Sequence, residues 1–488
     1  MDNKKKTFLY HWLFFFLSLM SLSLLFFKIS DKPLVDWDEC IYAEYAREMK
    51  IFHNFLVYQW NNSLLFEKPP FYGWLLQLFY FFNINEFTSR LPSFILGISN
   101  IYLVYIFSYQ YFSFLVGVIS GLIMLTLSNF VLYSTRVNTD IGFSFFIFAG
   151  FYAAILSFKR EKFDYFSGLF FGLAVMMKGL SAIIFMLPIF FIYLISKKNV
   201  KKIAKLMISF LFTILPWHLY QFFVYKEVFI KEYFIDNLLI RSTRSIFPPK
   251  NFFYYLNSII KDTLPWNLFL ILYFFLLINK LKIKLKKKLI LNKVEEKKVF
   301  MIIILMAFIP LFIFSLIKTK IIWYLIPIYP FVAIIIAISI SYTLDKFQKK
   351  IFKIIIILCL LIQILIINFR EHRKILLYED GLSADVGLKA KVLPINEINY
   401  LVGEEYRYLK KKEKDLGLIN AQLRYGDCPC IIFYSQKKIN LFYSEEIFKK
   451  RLKSYKGLFI VQKEDERIVK NMIKDLIYEN KKFILFYN

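Results

Sequence analysis

Histidine and cysteine are scarce, with four of each in 488 residues. The histidines, at 11, 53, 218 and 372, are scattered and show no H-E-x-x-H or similar metal spacing. The cysteines, at 40, 359, 428 and 430, are too few for a disulfide framework. Cys428-Pro429-Cys430 is an isolated C-x-C, read as two ordinary thiols or a local bridge rather than a metal site. There is no G-x-x-x-x-G-K-S/T loop and no G-x-S-x-G elbow, so ATPase and serine-hydrolase signatures are missing. No solenoid-type repeat occurs either.

Apolar residues fill the chain instead, at 58% of the sequence. Many of them lie in runs long enough to cross a hydrocarbon core, which takes about 20 residues. About eleven spans follow from length and polarity. They fall near 8–27, 90–110, 113–133, 140–157, 163–177, 180–196, 203–224, 258–278, 299–317, 321–342 and 352–369. The first run follows Lys4-Lys5-Lys6 but is too long for a signal-peptide core and lacks a cleavage site, so it reads as an uncleaved span. The segment 71–82 is apolar but short, which suits an interfacial or re-entrant helix.

A net charge of +28 raises the question of nucleic acid. The lysines concentrate in loops between spans, where positive charge orients a membrane protein, so nucleic acid is excluded as a partner. With the N-terminus inside, the inner loops hold the most basic segments: 159–162, the lysines at 197, 198, 201, 202 and 205, then 280–298 and 346–353. The outer loops, 28–89 and 225–257, mix both signs. Residues 1–369 thus form a membrane domain, and 370–488 form a charged outer domain without a spanning run. Ile431–Tyr434, Gly457–Val461 and Phe483–Tyr487 read as short strands and Glu464–Tyr478 as helix, a small α/β fold. The fold class is a polytopic α-helical membrane protein with a C-terminal extramembrane α/β domain.

Under that topology the unusual polar residues collect on the outer side. Asp38, Glu39 and Lys68 fall in the first outer loop, and Arg241 and Arg244 in the second. Arg136 and Asp140 stand where the third and fourth spans meet, Lys178 in a short turn, and Lys320 and Tyr324 ahead of Pro327. Carboxylates at a membrane edge are costly and are by default candidates for function. Plainer roles stand beside the chemical ones. Asp36 and Glu39 fit a capping box for a helix over 37–50. Glu44 and Arg47 fit an i,i+3 pair on a helix surface. Asp140 fits an N-cap and Lys178, before Gly179, a C-terminal helix lysine. Lys68 also fits a snorkelling side chain, although Pro69-Pro70 fixes its direction. Trp217, His218, Trp266, Trp323 and Tyr324 fit an interfacial belt.

The order of these motifs resembles the GT-C glycosyltransferases, nearest to the bacterial aminoarabinose lipid A transferases and the protein O-mannosyltransferases. The resemblance runs through Asp38-Glu39…Tyr42-Ala43-Glu44…Arg47-Glu48-Met49, Phe66-Glu67-Lys68-Pro69-Pro70 and Ser89-Arg90-Leu91-Pro92-Ser93. It continues through Arg136…Asp140, Met177-Lys178-Gly179, Pro216-Trp217 and Lys320…Tyr324…Pro327, covering about the first 340 residues. It implies a polyprenyl-phosphate-linked sugar as donor, membrane lipids as surroundings, and a lipid, glycan or protein as acceptor. It implies displacement with inversion on the outer face of the cytoplasmic membrane. Asp38 then matches the catalytic carboxylate, Asp140 the second acidic residue, and Lys68, Lys178 and Tyr324 the donor-phosphate cavity. The aminoarabinose enzymes carry a Glu-His pair in the second outer loop, where this chain has Asp236-Asn237. No cofactor or metal ligand follows from the residues, and a divalent metal is left open. A transporter or flippase of lipid-linked sugars is the other class with such residues, but those sites lie near the bilayer midplane, often in inverted repeats.

Overall fold

The computed structural model describes residues 3–195, 200–245, 249–282, 294–347, 350–376, 381–411 and 423–488. The basic runs at 197–198 and 283–293 lie outside the described residues. The chain divides into two compact units. The first joins Met1–Ile29, Arg90–Val224 and Phe247–Ile375, and the second joins Ser30–Ser89, Tyr225–Ile246 and Leu376–Asn488.

The first unit is helical and apolar, as befits a multi-pass membrane protein. Among the described residues seven helices are long and apolar enough to cross a membrane, or eight if one bent pair counts as a span. Eleven were predicted from the sequence, and the shortfall has local causes. The run 113–133 is a pair of helices, Phe114–Met124 and Ser128–Ser134, bent by 72°. The run 163–177 forms a helix of 16 residues and 180–196 a 3-10 turn followed by a 13-residue helix, Ile183–Ile195. At 1.5 Å per residue both fall short of a hydrocarbon core. The run 258–278 is split into Tyr254–Asp262 and Leu268–Lys282, because Pro265 has no amide hydrogen to continue the helix.

Small and polar residues let these helices meet. A Cβ on Gly168 would lie 2.1 Å from the Leu206 carbonyl oxygen, so only glycine permits that approach. Buried Asn100 donates to Ser144 Oγ at 2.8 Å, and Ser144 donates to the Ile326 carbonyl at 3.2 Å. Asp262 accepts from Asn129 at 2.7 Å and from Tyr329 at 2.5 Å, which pairs its carboxylate inside the helical unit.

The second unit joins two loop segments, Ser30–Ser89 and Tyr225–Ile246, with the C-terminal region. Its N-terminal part holds the Asp38–Ile51 helix, an antiparallel hairpin of β1 (Tyr58–Trp60) and β2 (Ser63–Leu65), and the Phe71–Tyr80 helix. The last is ten residues long and buries Tyr72, Gly73, Leu76 and Tyr80, in keeping with its short apolar pattern. The sheet contains β3 (Glu397–Leu401), β4 (Lys438–Phe442), β5 (Leu458–Gln462), β6 (Asp475–Glu479) and β7 (Phe483–Tyr487), in the order β4-β3-β5-β7-β6. The β3–β4 and β3–β5 pairs are parallel, and β7 runs antiparallel to both neighbours. Leu401, Phe448, Phe459 and Phe486 lie at its core.

Two expectations fail here. Ile431–Tyr434 is not a strand but part of the Cys430–Ser435 helix, buried along its whole length. A short run buried all round carries no periodicity to separate helix from strand, and Pro429 ahead of it favours a helix start. Glu464–Tyr478 is not one helix. It holds a 3-10 turn, the four-residue helix Glu466–Val469, and β6. β3 and β4 were not foreseen.

Candidate active site

The second unit holds the Asp38 region. The Asp38–Ile51 helix starts after Trp37, which has φ 74° and ψ −119°. That conformation is costly for a bulky residue and persists only where surroundings enforce it. The Trp37 ring packs against Tyr406 and Tyr425, with centroids 5.8 and 6.5 Å away. The turn places Asp38 in the first turn of that helix.

The acids of this segment then separate by role. Asp36 does not cap the helix. Its carboxylate accepts from the Cys430 amide at 2.8 Å and from Ser383 Oγ at 2.7 Å. Burial, the largest influence, raises it to about 6. Glu39 is buried and accepts from the Val35 amide at 2.8 Å, bracing the entry turn. Asp38 is half-buried and makes no hydrogen bond or ion pair among the described residues. Glu44 and Arg47 do pair three residues apart, at 2.6 and 2.5 Å, but inside the unit rather than on a surface.

Lys68 lies in the same unit. Its ammonium donates to the Tyr42 hydroxyl and stands 4.7 Å from the centre of that ring. Beside it, Glu67 is buried, with Arg241 at 4.0 Å. Glu67 Oε1 has no hydrogen-bond partner among the described residues. Arg424 forms a forked pair with Glu232, and Tyr425 shares a 2.5 Å hydroxyl contact with Tyr45. Glu67, Glu232, Arg424 and Tyr425 were not singled out as site residues. Glu67 lay inside a quoted motif, whereas nothing local marked the other three.

Cys40 and Cys430 form a disulfide across 390 residues. The C-x-C reading is therefore corrected: Cys430 pairs with a distant partner, and Cys428 is a free, buried thiol. Among the described residues the one gathering of metal-ligating atoms is Asp36, Cys40 and Cys430. The disulfide occupies two of its three members, so this set does not fit a metal. A cavity of about 540 Å³ is lined by Arg47, Asn62, Lys391, Glu397 and Lys437. Arg47 is nine residues from Asp38, about 13 Å along the helix, so this cavity is not the Asp38 site.

The first unit holds a second set. Lys178 ends the Phe163–Lys178 helix, followed by Gly179 at φ 98°. Its ammonium pairs with Asp140 and lies 4.8 Å from the Tyr324 ring centre. Both partners are nearly enclosed, with side chains 11% and 4% exposed. Asp140 is not the cap of its helix. Asn138 Oδ1 accepts from the Asp140 and Ile141 amides at 2.9 and 3.1 Å and fills that role. Asp140, Lys178 and Tyr324, dispersed in sequence, thus meet. Arg136 is half-buried, and its Nε finds no hydrogen-bond partner among the described residues. Lys320 does not join the set, because its ammonium turns to the Ile317 carbonyl at 2.6 Å.

The family model of dolichyl-phosphate-mannose-protein mannosyltransferases matches residues 67–220. An uncharacterized protein of Aquifex aeolicus (strain VF5) is 27% identical over 326 residues, covering 65% of this chain and 61% of that protein. The undecaprenyl phosphate-alpha-4-amino-4-deoxy-L-arabinose arabinosyl transferase of Wigglesworthia glossinidia brevipalpis is 27% identical over 357 residues, covering 70% and 61%. The matched region thus spans about 61% of the length of these curated relatives. The crystal structure of ArnT from Cupriavidus metallidurans bound to undecaprenyl phosphate has the same fold, with a TM-score of 0.75. The match covers 100% of this chain and 98% of that one, at 14% identity. Family model, sequence relatives and fold thus agree in what the chain is similar to: polyprenyl-phosphate-sugar glycosyltransferases of the protein mannosyltransferase and ArnT type.

Proposed function

We propose that this chain is an integral-membrane glycosyltransferase that moves a sugar from a polyprenyl-phosphate carrier to a lipid, glycan or protein acceptor. The observation that carries the reading is Asp38: a carboxylate without a partner among the described residues, at a helix N-terminus behind a strained Trp37, in the unit that also holds Lys68 and Arg241.

The chemistry is a single displacement. Asp38 takes the proton of the acceptor hydroxyl. The acceptor oxygen forms its bond to the anomeric carbon from the face opposite the phosphate. The bond from that carbon to the phosphate oxygen breaks, and polyprenyl phosphate departs with the electron pair. A positioned general base contributes typically about 10²–10⁴ in rate. The leaving phosphate develops charge, which fixed cations stabilise without reorganising. Lys68 and Arg241 take that part in this reading. Asp140, Lys178 and Tyr324 resemble donor-cavity residues, and Asp140 sets the position of the Lys178 ammonium. No step passes through a metal.

The active face and C-terminal domain lie outside the cytoplasm in this proposal. The basic inner loops support it. The Cys40–Cys430 disulfide does so independently, since disulfides persist in oxidising compartments.

The test is turnover by purified protein in nanodiscs, given a polyprenyl-phosphate-linked sugar and an envelope extract. Release of polyprenyl phosphate with the sugar on a new acceptor supports the reading. Movement of intact donor across the bilayer without its consumption overturns it in favour of transport. Mass spectrometry of envelope lipids, glycans and proteins, with and without the chain, then names the acceptor.

A further inference from the structure

Lys68 has no ion pair among the described residues to hold it, and its direct contact is the Tyr42 hydroxyl. Its position therefore depends on the backbone that carries it. That backbone is anchored two residues earlier: the Phe66 amide donates to Glu232 Oε2 at 3.1 Å. Glu232 belongs to the Ile230–Ile240 helix, far away in sequence. The same Oε2 accepts from Arg424 Nη1 at 3.2 Å, while Oε1 accepts from Arg424 Nη2 at 2.7 Å. One carboxylate thus joins a guanidinium of the C-terminal region to the amide that precedes Glu67-Lys68-Pro69-Pro70. The two prolines restrict the chain on the other side of Lys68.

Arg424 is itself held firmly. Its carbonyl accepts from Trp60 Nε1 at 3.1 Å, within β1. Next to it, Tyr425 packs on Trp60 with centroids 5.1 Å apart and meets the Tyr45 hydroxyl at 2.5 Å. The Arg424 and Glu232 side chains are 26% and 17% exposed, so their forked pair is shielded from most competing water.

We propose that Arg424 is a positioning residue for the transfer reaction: through Glu232 it fixes the Phe66 amide, and through the Phe66-Glu67-Lys68 segment it aims the Lys68 ammonium at the donor phosphate. The C-terminal region is then part of the machinery on this side rather than an accessory. The inference rests on the donor class proposed above, and the experiment separates the two.

The probe is undecaprenyl phosphate binding to the full chain in nanodiscs. Arg424→Gln should weaken binding about tenfold, the scale of a lost charged hydrogen-bond pair felt at one remove. Lys68→Met should weaken it as well. In the Lys68→Met background, Arg424→Gln should add less than about twofold, because both changes act on one contact. A plain staple between segments predicts independent, multiplicative effects instead.

The exchanged pair Glu232→Arg with Arg424→Glu covers the case in which Arg424→Gln does not fold. It restores opposite charges, but arginine has no acceptor for the Phe66 amide. Thermal stability should return while binding stays weak; recovery of both overturns the proposal. Acylation of the Lys68 amine should also run faster in Arg424→Gln than in the parent, a readout that needs no donor. Parent protein that fails to bind undecaprenyl phosphate sinks the donor assignment. Unchanged binding and unchanged Lys68 acylation in Arg424→Gln sink the role of Arg424.

Discussion

Breaking the Asp140–Lys178 pair should reveal which part of it is structural. The two side chains are 4% and 11% exposed, so neither charge has much water to fall back on. Asp140→Asn leaves a nearly buried ammonium, and Lys178→Met leaves a nearly buried carboxylate. Removing one partner of such a pair costs about 3–5 kcal/mol, whereas replacing both is often close to neutral. The double variant Asp140→Asn/Lys178→Met should therefore regain most of the unfolding temperature that each single variant loses. Activity should behave differently. If the Lys178 ammonium, 4.8 Å from the Tyr324 ring, acts on the donor, the double variant has no cation there. It should remain at least about 10²-fold slower than the parent, the scale of one lost electrostatic donor. The assays are thermal unfolding in detergent and donor turnover on the same preparations. Recovery of turnover together with stability would reduce the pair to a strut. Three variants that are equally unstable would show that the ion pair is not what holds this turn.

Glu39→Gln should keep most activity, because its amide oxygen still accepts from the Val35 amide; a variant as inactive as one lacking Asp38 would reverse the assignment of the two acids. Asp36 makes a pH prediction with a definite sign. Its folded value is raised to about 6 from near 4, so ionisation over that interval favours unfolding. Asp36→Asn keeps the shape and should stabilise the chain at pH 7.5 by about 1–3 kcal/mol, with the gain gone at pH 4; a gap that widens on acidification contradicts the burial argument. Cys40→Ser should lower stability by about 2–5 kcal/mol, as expected for a bridge closing a very long loop. A non-reducing digest of protein from membranes should yield the Cys40–Cys430 peptide pair, and free thiols at both positions would remove a support for the outside placement.

The sequence made some of this legible and hid the rest for physical reasons. Long apolar runs are read directly from composition, but the break at 263–267 depends on how Pro265 and its surroundings pack. The helix over Asp38–Ile51 was legible, and its cap was not. Local spacing offered Asp36 as the cap, whereas the fold uses Asp36 on Cys430, 394 residues away. β3 and β4 pair with each other across intervening chain, and neither has a turn signal joining it to its partner. Asp140, Lys178 and Tyr324 were found as unusual polar residues in apolar sequence, and the fold brings them together. Lys320 had the same signal and turned to a backbone carbonyl, so an isolated lysine marks a candidate without fixing its direction. Arg424 and Tyr425 lie in a charged region where such residues are ordinary. Their contacts in the fold, with Glu232, Tyr45 and Trp60, are what distinguish them.

The measurement that bears most directly on the central claim is Asp38→Asn in the purified, full chain. Asparagine keeps the shape of aspartate but accepts no proton at neutral pH. Binding of undecaprenyl phosphate should match the parent within about twofold, while transfer from a polyprenyl-phosphate-linked sugar falls by about 10² or more. Transfer at the parental rate by a folded, donor-binding Asp38→Asn protein would contradict the account.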